Sequence, residues 1–330
     1  MVTRIIFDTD IGTDVDDCLA LALILGSPEL RLEAVTCVYG DVALRAQMVL
    51  KLLRLAGRPE VPVALGASNP LLGRVPVYWS GHEGKGLLEP GEAPLPVADE
   101  HAVEVIVRTV MGSPGAVHLV AVGPLTNVAL AFLRQPRLAQ SLAHLTIMGG
   151  AVRGGAGPEG LGLALVEHNI RCDPEAARVV FEAGAPLTVV PLDVTTRVRA
   201  TAGFPEGIAA GGSPFHDAVA RQLTLYPPFQ RRGWTHLHDP LPVAAVVAPG
   251  LVRLHRLRLD VELESRLAPG ATLARLPTEA LPANAGVALE VDGPRFEAMF
   301  LERTGRPLPA QRAGSTPPAP PPTLPPAGAP

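Results

Sequence analysis

The stretch "RIIFDTDIGTDVDDCLALALIL", residues 4–25, predicts how this fold begins. The run "RIIF" (4–7) is short, apolar and β-branched, as in a buried strand, and a helix is predicted over roughly 17–26. Between these two segments lie five aspartates, which are Asp8, Asp10, Asp14, Asp16 and Asp17. The sequence therefore places five like charges between two segments that favour burial, and something must offset their repulsion.

The same alternation of strand and helix continues as far as residue 192. Further strands are predicted over 32–38, 61–65, 116–122, 145–149 and 187–192, and helices over 42–56, 102–112, 125–133 and 173–184. This order predicts an α/β fold with a doubly wound, mostly parallel sheet flanked by helices on both faces. Beyond residue 200 the pattern loosens, with a polar and aromatic segment over 213–237, a buried helix over 237–248 and a strand over 257–265. We expect one domain over 1–307 and a disordered Pro/Ala-rich tail over 308–330.

The amino-acid composition argues against several classes of function. The 330 residues are 47% hydrophobic and 18% charged, with a formal net charge of −4, so no basic field favours nucleic acid or a membrane surface. The three cysteines are scattered in apolar contexts, which fits a reducing compartment rather than a disulfide framework. The N-terminal apolar run is too short for a signal peptide, and no apolar stretch reaches membrane-spanning length. We therefore expect a cytoplasmic protein.

Polar residues follow several of the predicted strands directly. Asp8 and Asp10 follow the first strand, Asp41 follows the second, and Asp193 follows the last before residue 200. In an open parallel sheet these positions meet at the carboxyl ends of the strands, where ligands bind, so we expect an open active site there. A helix N-terminus offsets only roughly 0.3–1 kcal/mol per acid, which is too little for five carboxylates. Oxygen-only ligands indicate a bound Ca²⁺ or Mg²⁺ ion, and ligand chemistry alone allows either.

Two other interpretations of the aspartates are weaker. An EF-hand loop counted from Asp8 needs an acid at its twelfth position, which is Leu19 here. A phosphatase of the haloacid dehalogenase type also begins with a strand and "DxD", and it would use Asp8 as a nucleophile. That family needs a downstream lysine, and neither Lys51 nor Lys85 lies in a suitable context.

A third interpretation accounts for more of the chain. "DTDIGTDVDDCLAL" (8–21) resembles the N-terminal signature of the inosine–uridine-preferring nucleoside hydrolases, in a variant with two extra residues before the Asp pair. Seven further segments follow in the family's order over roughly residues 3–300: "AVTCVYGD" (34–41), "GHEGKG" (81–86), "VAVGPLTNVALA" (120–131), "IMGGAV" (147–152), "EHNIRCDPEAA" (167–177), "PLDVT" (191–195) and "HDPLPVAA" (238–245). The resemblance implies hydrolysis of the N-glycosidic bond of ribonucleosides to ribose and free base, through a transition state like an oxocarbenium ion.

The resemblance also implies a metal site with one Ca²⁺ per subunit. Its ligands would be Asp10, Asp17, Asp239 and the backbone carbonyl of Val122. Asp10 would be the general base for a water positioned by the metal, and Asp16 would hydrogen-bond the ribose hydroxyls.

The remaining substrate contacts are assigned in the same way. Glu167 and Asn169 match positions that bind the outer hydroxyls of the sugar, and Asp41 stands where many relatives carry Asn. A sugar-binding Asn of many relatives has no clear equivalent in residues 154–166.

On the base side, His238 is the candidate general acid, with a structural hydrogen bond as the alternative. His82 in the 81–86 flap is a weaker candidate. Tyr226 and Trp234 are expected to wrap the base, although either could belong to the core.

Two alternatives for the function stay open from the sequence. The substrate could be another riboside, or the chain could bind nucleosides or metal without catalysis. The resemblance further implies a homodimer or homotetramer that acts on a small-molecule ribonucleoside.

Overall fold

A computed structural model describes residues 2–153 and 166–309. Nine strands form one sheet in the order β10-β9-β11-β6-β5-β4-β1-β2-β3. Their bounds are β1 Thr3–Thr9, β2 Leu30–Cys37, β3 Val63–Leu65, β4 Val117–Ala121, β5 His144–Met148, β6 Leu187–Val190, β9 Val252–Val261, β10 Thr272–Arg275 and β11 Ala285–Val291. Strands β7 (Arg199–Thr201) and β8 (Trp234–His236) form a separate antiparallel ribbon.

Thirteen helices of the described residues surround this sheet. They are α1 Asp16–Leu25, α2 Val42–Leu55, α3 Ala102–Met111, α4 Thr126–Arg134, α5 Leu138–Ser141, α6 His168–Cys172, α7 Pro174–Glu182, α8 Leu192–Thr195, α9 Phe204–Ala209, α10 Pro214–Leu225, α11 Pro227–Arg232, α12 Pro240–Val247 and α13 Gly293–Thr304. Helices α1, α2, α12 and α13 belong to the core on one face of the sheet, and α3, α4 and α7 to the core on the other.

The two-sided core follows from the alternation of side chains along each strand. In β1, Ile5 and Phe7 contribute to one core and Ile6 contributes to the other. Because both faces are covered, the inner strands are mostly apolar, as is usual for parallel sheets. Helix α1 is buried along its whole length, from Asp16 to Leu25, so its two N-terminal acids are held in the interior.

The chain order across the sheet fixes where a ligand can bind. From β1 the chain adds β2 and β3 on one side, then returns to add β4, β5 and β6 on the other. The order reverses between β1 and β4, which is the topological switch point of a doubly wound sheet.

The predicted fold class is confirmed, and the corrections lie beyond residue 200. The polar and aromatic segment 213–237, for which no elements were predicted, contains α10, α11 and β8. The strand predicted over 257–265 is β9, which begins earlier, at Val252, and ends at Val261. Helix α12 begins at Pro240, three residues later than predicted. Strand β11 pairs parallel to β6 and antiparallel to β9, which gives the sheet a mixed edge.

Two sequence predictions fall on other parts of the chain. The tail from residue 310 onward and most of the segment expected to lack a sugar-binding Asn lie outside the described residues. Within the described residues, no helix is both long enough and apolar enough to cross a bilayer.

Candidate active site

Four segments meet at the switch point of the sheet. The carboxyl end of β1 leads to Asp8 and Asp10, and the segment after β4 contains Val122. Helix α1 begins at Asp16, and Asp239 is the residue before α12. Hydrogen bonds hold the segments together: the amide of Val122 donates to the carbonyl of Asp8 (2.9 Å), and the amide of Asp239 donates to the Asp16 carboxylate (3.4 Å).

Three buried carboxylates are gathered at this point. One carboxylate oxygen each from Asp16, Asp17 and Asp239 lies within 4.8 Å of the others. All three side chains are at most 5% exposed. The Asp17 carboxylate also accepts a hydrogen bond from the hydroxyl of Thr9.

Burial raises the pKa of each of these acids, and their neighbours raise it further. The pKa of Asp16 rises to about 8, first because burial removes water and then because Asp14 and Asp10 are negatively charged. The pKa values of Asp17 and Asp239 are also raised, by burial first and by adjacent aspartates second. The protein alone therefore leaves the crowded negative charge of this cluster only partly offset.

Asp10 lies beside the three carboxylates and is 7% exposed. Gly123 allows this approach, because a Cβ at Gly123 would lie 2.9 Å from Oδ1 of Asp10. The buried Arg45 of α2 donates to the backbone carbonyls of Asp10 and Ile11, the latter at 2.7 Å. Burial raises the pKa of Asp10, and the Arg45 guanidinium only partly opposes that rise.

Asp8 lies in β1, two residues before Asp10, and is fully buried. Its Oδ2 accepts hydrogen bonds from Thr36 (2.5 Å) and Asn127 (2.8 Å), and its Oδ1 has no partner among the described residues. Burial raises the pKa of Asp8 to about 7, although both hydrogen bonds act in the opposite direction. Asp8 thus links β1 to β2 and α4 through its side chain.

These residues suit a divalent cation. The donors are hard carboxylate oxygens, and the three gathered acids include no Cys or His. A cation would offset the crowded negative charge that raises the pKa values of the cluster. The three gathered carboxylates include those of Asp17 and Asp239, two of the predicted metal ligands. The third is that of Asp16, which the resemblance assigns to the sugar. The separate roles of Asp10 and Asp16 stay predictions.

The residues predicted for the sugar side lie on helix starts. Glu167 caps α6: its Oε1 accepts from the amide of Asn169 (2.8 Å), and its Oε2 accepts from the amides of Ile170 and Gly150 (both 3.0 Å). Asn169 donates to the carbonyl of Val122 at 2.6 Å, so it touches the expected metal shell. Asp41 is exposed and caps α2 by accepting from the amide of Leu44 (2.9 Å).

A cleft of about 310 Å³ adjoins the acidic cluster. Val15 and Cys18, which flank Asp16 and Asp17 in sequence, line it together with His82 and Tyr226. Its other walls come from Ile11, Gly12, Asp14, Met48, Lys85, Gln222, Leu225, Pro227 and Gln230. Apolar walls with a few polar side chains are typical of a small-molecule site. Two predicted base contacts, His82 and Tyr226, therefore occur on one cleft.

Trp234 does not line this cleft. The guanidinium of Arg199 lies 4.1 Å from its ring centroid, and that of Arg232 lies 5.5 Å away. Both cations contact the indole, so Trp234 packs within the β7–β8 ribbon.

His238 lies between the ribbon and the cluster. Its Nδ1 is 2.8 Å from the hydroxyl of Thr195, and its ring centroid is 4.9 Å from that of His236. Burial, followed by the effect of His236, lowers the pKa of His238 to about 3. The imidazole is therefore neutral at neutral pH in the metal-free protein.

Comparison with known proteins identifies the family. The family model described as inosine-uridine preferring nucleoside hydrolase matches residues 5–298. The chain belongs to this nucleoside hydrolase family. Its members hydrolyse N-glycosyl bonds, so the protein is an enzyme of that class.

Several relatives match over nearly their whole length. The chain is 36% identical to the pyrimidine-specific ribonucleoside hydrolase RihA of Citrobacter koseri, over 92% of this chain and 98% of the relative. A plant nucleoside hydrolase structure, PpNRh1, matches with a TM-score of 0.82 and 29% identity, over 93% of this chain and 100% of that one. The purine-preferring ribonucleoside hydrolase from Gardnerella vaginalis matches with a TM-score of 0.81 and 30% identity, over 92% and 98% of the two chains.

The sequence analysis of this nucleoside hydrolase missed two residues that shape the site. Arg45 supports the Asp10 loop, and a charged residue between the buried Val42 and Val49 on α2 was the available signal. Asp14 bonds to Tyr226 across the cleft, and no local pattern indicates this contact because the two residues are far apart in sequence.

Proposed function

We propose that this enzyme hydrolyses the N-glycosidic bond of ribonucleosides with Ca²⁺ bound beside Asp10. The observation that carries the proposal is the group of three buried carboxylates at the switch point. Asp10, Asp17, Asp239 and the carbonyl of Val122 would hold the ion. When bound, the ion supplies the positive charge that offsets these carboxylates and orients water and sugar hydroxyls.

The chain's own residues then divide the reaction between them. The carboxylate of Asp10 accepts a proton from the attacking water. Asp16 accepts hydrogen bonds from the ribose hydroxyls. Asn169 and Glu167 contact the outer hydroxyls of the sugar, and Asp41 can accept a further hydrogen bond from it.

The departing base occupies the cleft. The apolar side chains of the cleft suit a flat ring, and the amides of Gln222 and Gln230 can reach the polar edge of a base. His238 assists departure as a neutral imidazole. If the Thr195 hydroxyl donates to Nδ1, then Nε2 carries the hydrogen and can donate a hydrogen bond to the departing base.

The direct test measures base release from inosine, uridine, adenosine and cytidine, before and after treatment with a chelator. We expect release of free base that stops on chelation and returns with Ca²⁺ more fully than with Mg²⁺. Full turnover in chelator would overturn the metal-dependent mechanism. No release from any of the four nucleosides by calcium-loaded enzyme would indicate a different riboside substrate.

A further inference from the structure

The loop that contains the acidic cluster is joined directly to the wall of the cleft. The hydroxyl of Tyr226 donates a hydrogen bond to Oδ1 of Asp14. Asp14 is exposed and lies between Asp10 and Asp16, whereas Tyr226 is half-buried. Both side chains line the cleft of about 310 Å³.

Tyr226 lies at a helix junction where hydrogen bonds from its amide to the carbonyl of Gln222 and to its carbonyl from the amide of Gln230 hold the backbone. It is the single residue between α10 and α11, with φ −64° and ψ 119°, so its backbone is extended rather than helical. Its side chain packs against the core, and its ring centroid lies 6.0 Å from that of His82. The bond to Asp14 is the directional contact that fixes the phenol.

Neighbouring contacts extend this connection around the cleft. His82 Nε2 lies 2.9 Å from the carbonyl of Thr13, and the hydroxyl of Thr13 donates to Glu83 (3.1 Å). The amide of Gln222 on α10 donates to the carbonyl of Lys85 (3.0 Å). Three segments distant in sequence are thereby tied together around one opening: the Asp10–Asp17 loop, the 81–86 flap and the α10–α11 junction.

We infer that Asp14 is a positioning residue that holds Tyr226 as the base-side wall of the cleft. This inference rests on the proposed function, because the occupant of the cleft is taken to be the base of a nucleoside. The base packs against the Tyr226 ring, and Asp14 acts only through Tyr226. Asp14 therefore contributes to nucleoside binding more than to the chemical step.

The test compares Asp14→Ala, Tyr226→Phe and the double variant. Each single change removes the same hydrogen bond, so each should raise KM about fivefold to tenfold while kcat changes less than about twofold. The double variant should be no worse than either single variant, because residues in direct contact are not additive. Asp14→Asn retains an acceptor for the phenol and should restore most of the affinity.

The matched control is Tyr78→Phe. Tyr78 is exposed, and its hydroxyl accepts a hydrogen bond from Ser80 (3.1 Å) away from the lining of the cleft. Its KM should equal that of the unchanged enzyme. Additive losses in the double variant, or a normal KM for Tyr226→Phe, would overturn the inference.

Two further readouts separate this inference from the function it rests on. Calcium titration by calorimetry should give the same affinity for Tyr226→Phe, which keeps the Asp14 charge, as for the unchanged protein. It should give equal affinities for Asp14→Ala and Asp14→Asn, because both remove that charge. A loss of calcium affinity in Tyr226→Phe, or a KM for Asp14→Asn as high as that for Asp14→Ala, would show that the effect runs through the ion, and the inference would fail. Hydrogen–deuterium exchange across residues 225–233 should rise in both single variants and not in Tyr78→Phe. That measurement needs no turnover, so it decides the positioning role even if no nucleoside is hydrolysed.

Discussion

The sheet has one set of ionisable groups at the carboxyl ends of its strands and another toward the amino ends. The two sets differ in the partners that surround them. At the carboxyl ends, Asp16, Asp17 and Asp239 crowd together with like charge. Toward the amino ends, His118 of β4 and His144 of β5 sit side by side, with ring centroids 5.0 Å apart. The register of the sheet pairs these two histidines directly.

The difference lies in what each set has for partners. His118 Nε2 is 3.1 Å from the hydroxyl of Thr146, and His144 Nε2 is 2.8 Å from that of Thr188. Burial lowers the pKa of both imidazoles, that of His118 to about 3, so the pair is neutral and hydrogen-bonded within the protein. The aspartates have raised pKa values, and among the described residues the Arg45 guanidinium only partly opposes that rise at Asp17. Partially buried neutral groups with internal partners indicate structure, whereas buried like charges crowded without a balancing charge indicate a ligand site.

The largest expected effect comes from Asp10→Ala. Removing the proposed base should lower kcat/KM by about 10²–10⁴-fold. The metal-free variant should unfold at the same temperature as the unchanged protein or a higher one, because a buried carboxylate has been removed. Steady-state kinetics and thermal unfolding measure the two quantities.

The control for this prediction is Asp99→Ala, which removes an exposed aspartate and should leave both quantities unchanged. Normal turnover by Asp10→Ala would contradict the assigned role.

The second prediction concerns the pH dependence of the metal-free protein. Asp16 has a folded-state pKa of about 8 against an ordinary value of 3.8. A raised pKa gives stability that is present at low pH and is lost as pH rises through the folded value. The free energy of unfolding in chelator should therefore fall between about pH 4 and pH 8. Added Ca²⁺ should stabilise the protein more at pH 8 than at pH 5.

Urea unfolding at several pH values, with and without Ca²⁺, measures this dependence. An equal effect of Ca²⁺ at both pH values would mean that the carboxylates are ionised without the ion.

The smallest effect is expected from the histidine pair, and its sign is opposite. A lowered histidine pKa means that stability is present above the ordinary value of 6.5 and is lost as pH falls toward 3. In the double variant His118→Gln/His144→Gln, the free energy of unfolding should depend less on pH in this acidic range. At neutral pH it should be about 1–3 kcal/mol lower than in the unchanged protein, because hydrogen bonds are altered. The kcat/KM of this variant should match that of the unchanged enzyme. A large loss of turnover would mean that the two ends of the sheet are coupled.

The parts of the fold that sequence patterns predicted are those decided locally. The apolar run before Asp8 and the helix after Asp17 are visible because burial on both faces requires continuous apolar residues. The mixed edge was not predictable, because the pairing of β11 with both β6 and β9 depends on distant segments. The helices of the 213–237 segment were not predicted, because α10 and α11 both begin with proline and present exposed polar residues.

Some residues of the candidate site could likewise be predicted from local sequence, and others could not. The aspartates near β1 were identified because five like charges lie between two apolar segments. Asp239 was identified only through the family resemblance. Trp234 was expected at the base because aromatic rings stack on nucleobases, but its contacts with Arg199 and Arg232 could not be read from the sequence. Side-chain partners from separate elements are tertiary information.

The distance along the chain between the gathered carboxylates has a consequence for biosynthesis. Asp16 and Asp239 are 223 residues apart. During translation, the early strands and α1 emerge long before the segment that brings the third carboxylate. In a nascent chain the proposed ion site therefore stays incomplete until α12 has been made, so capture of the proposed cation would be a late step in maturation.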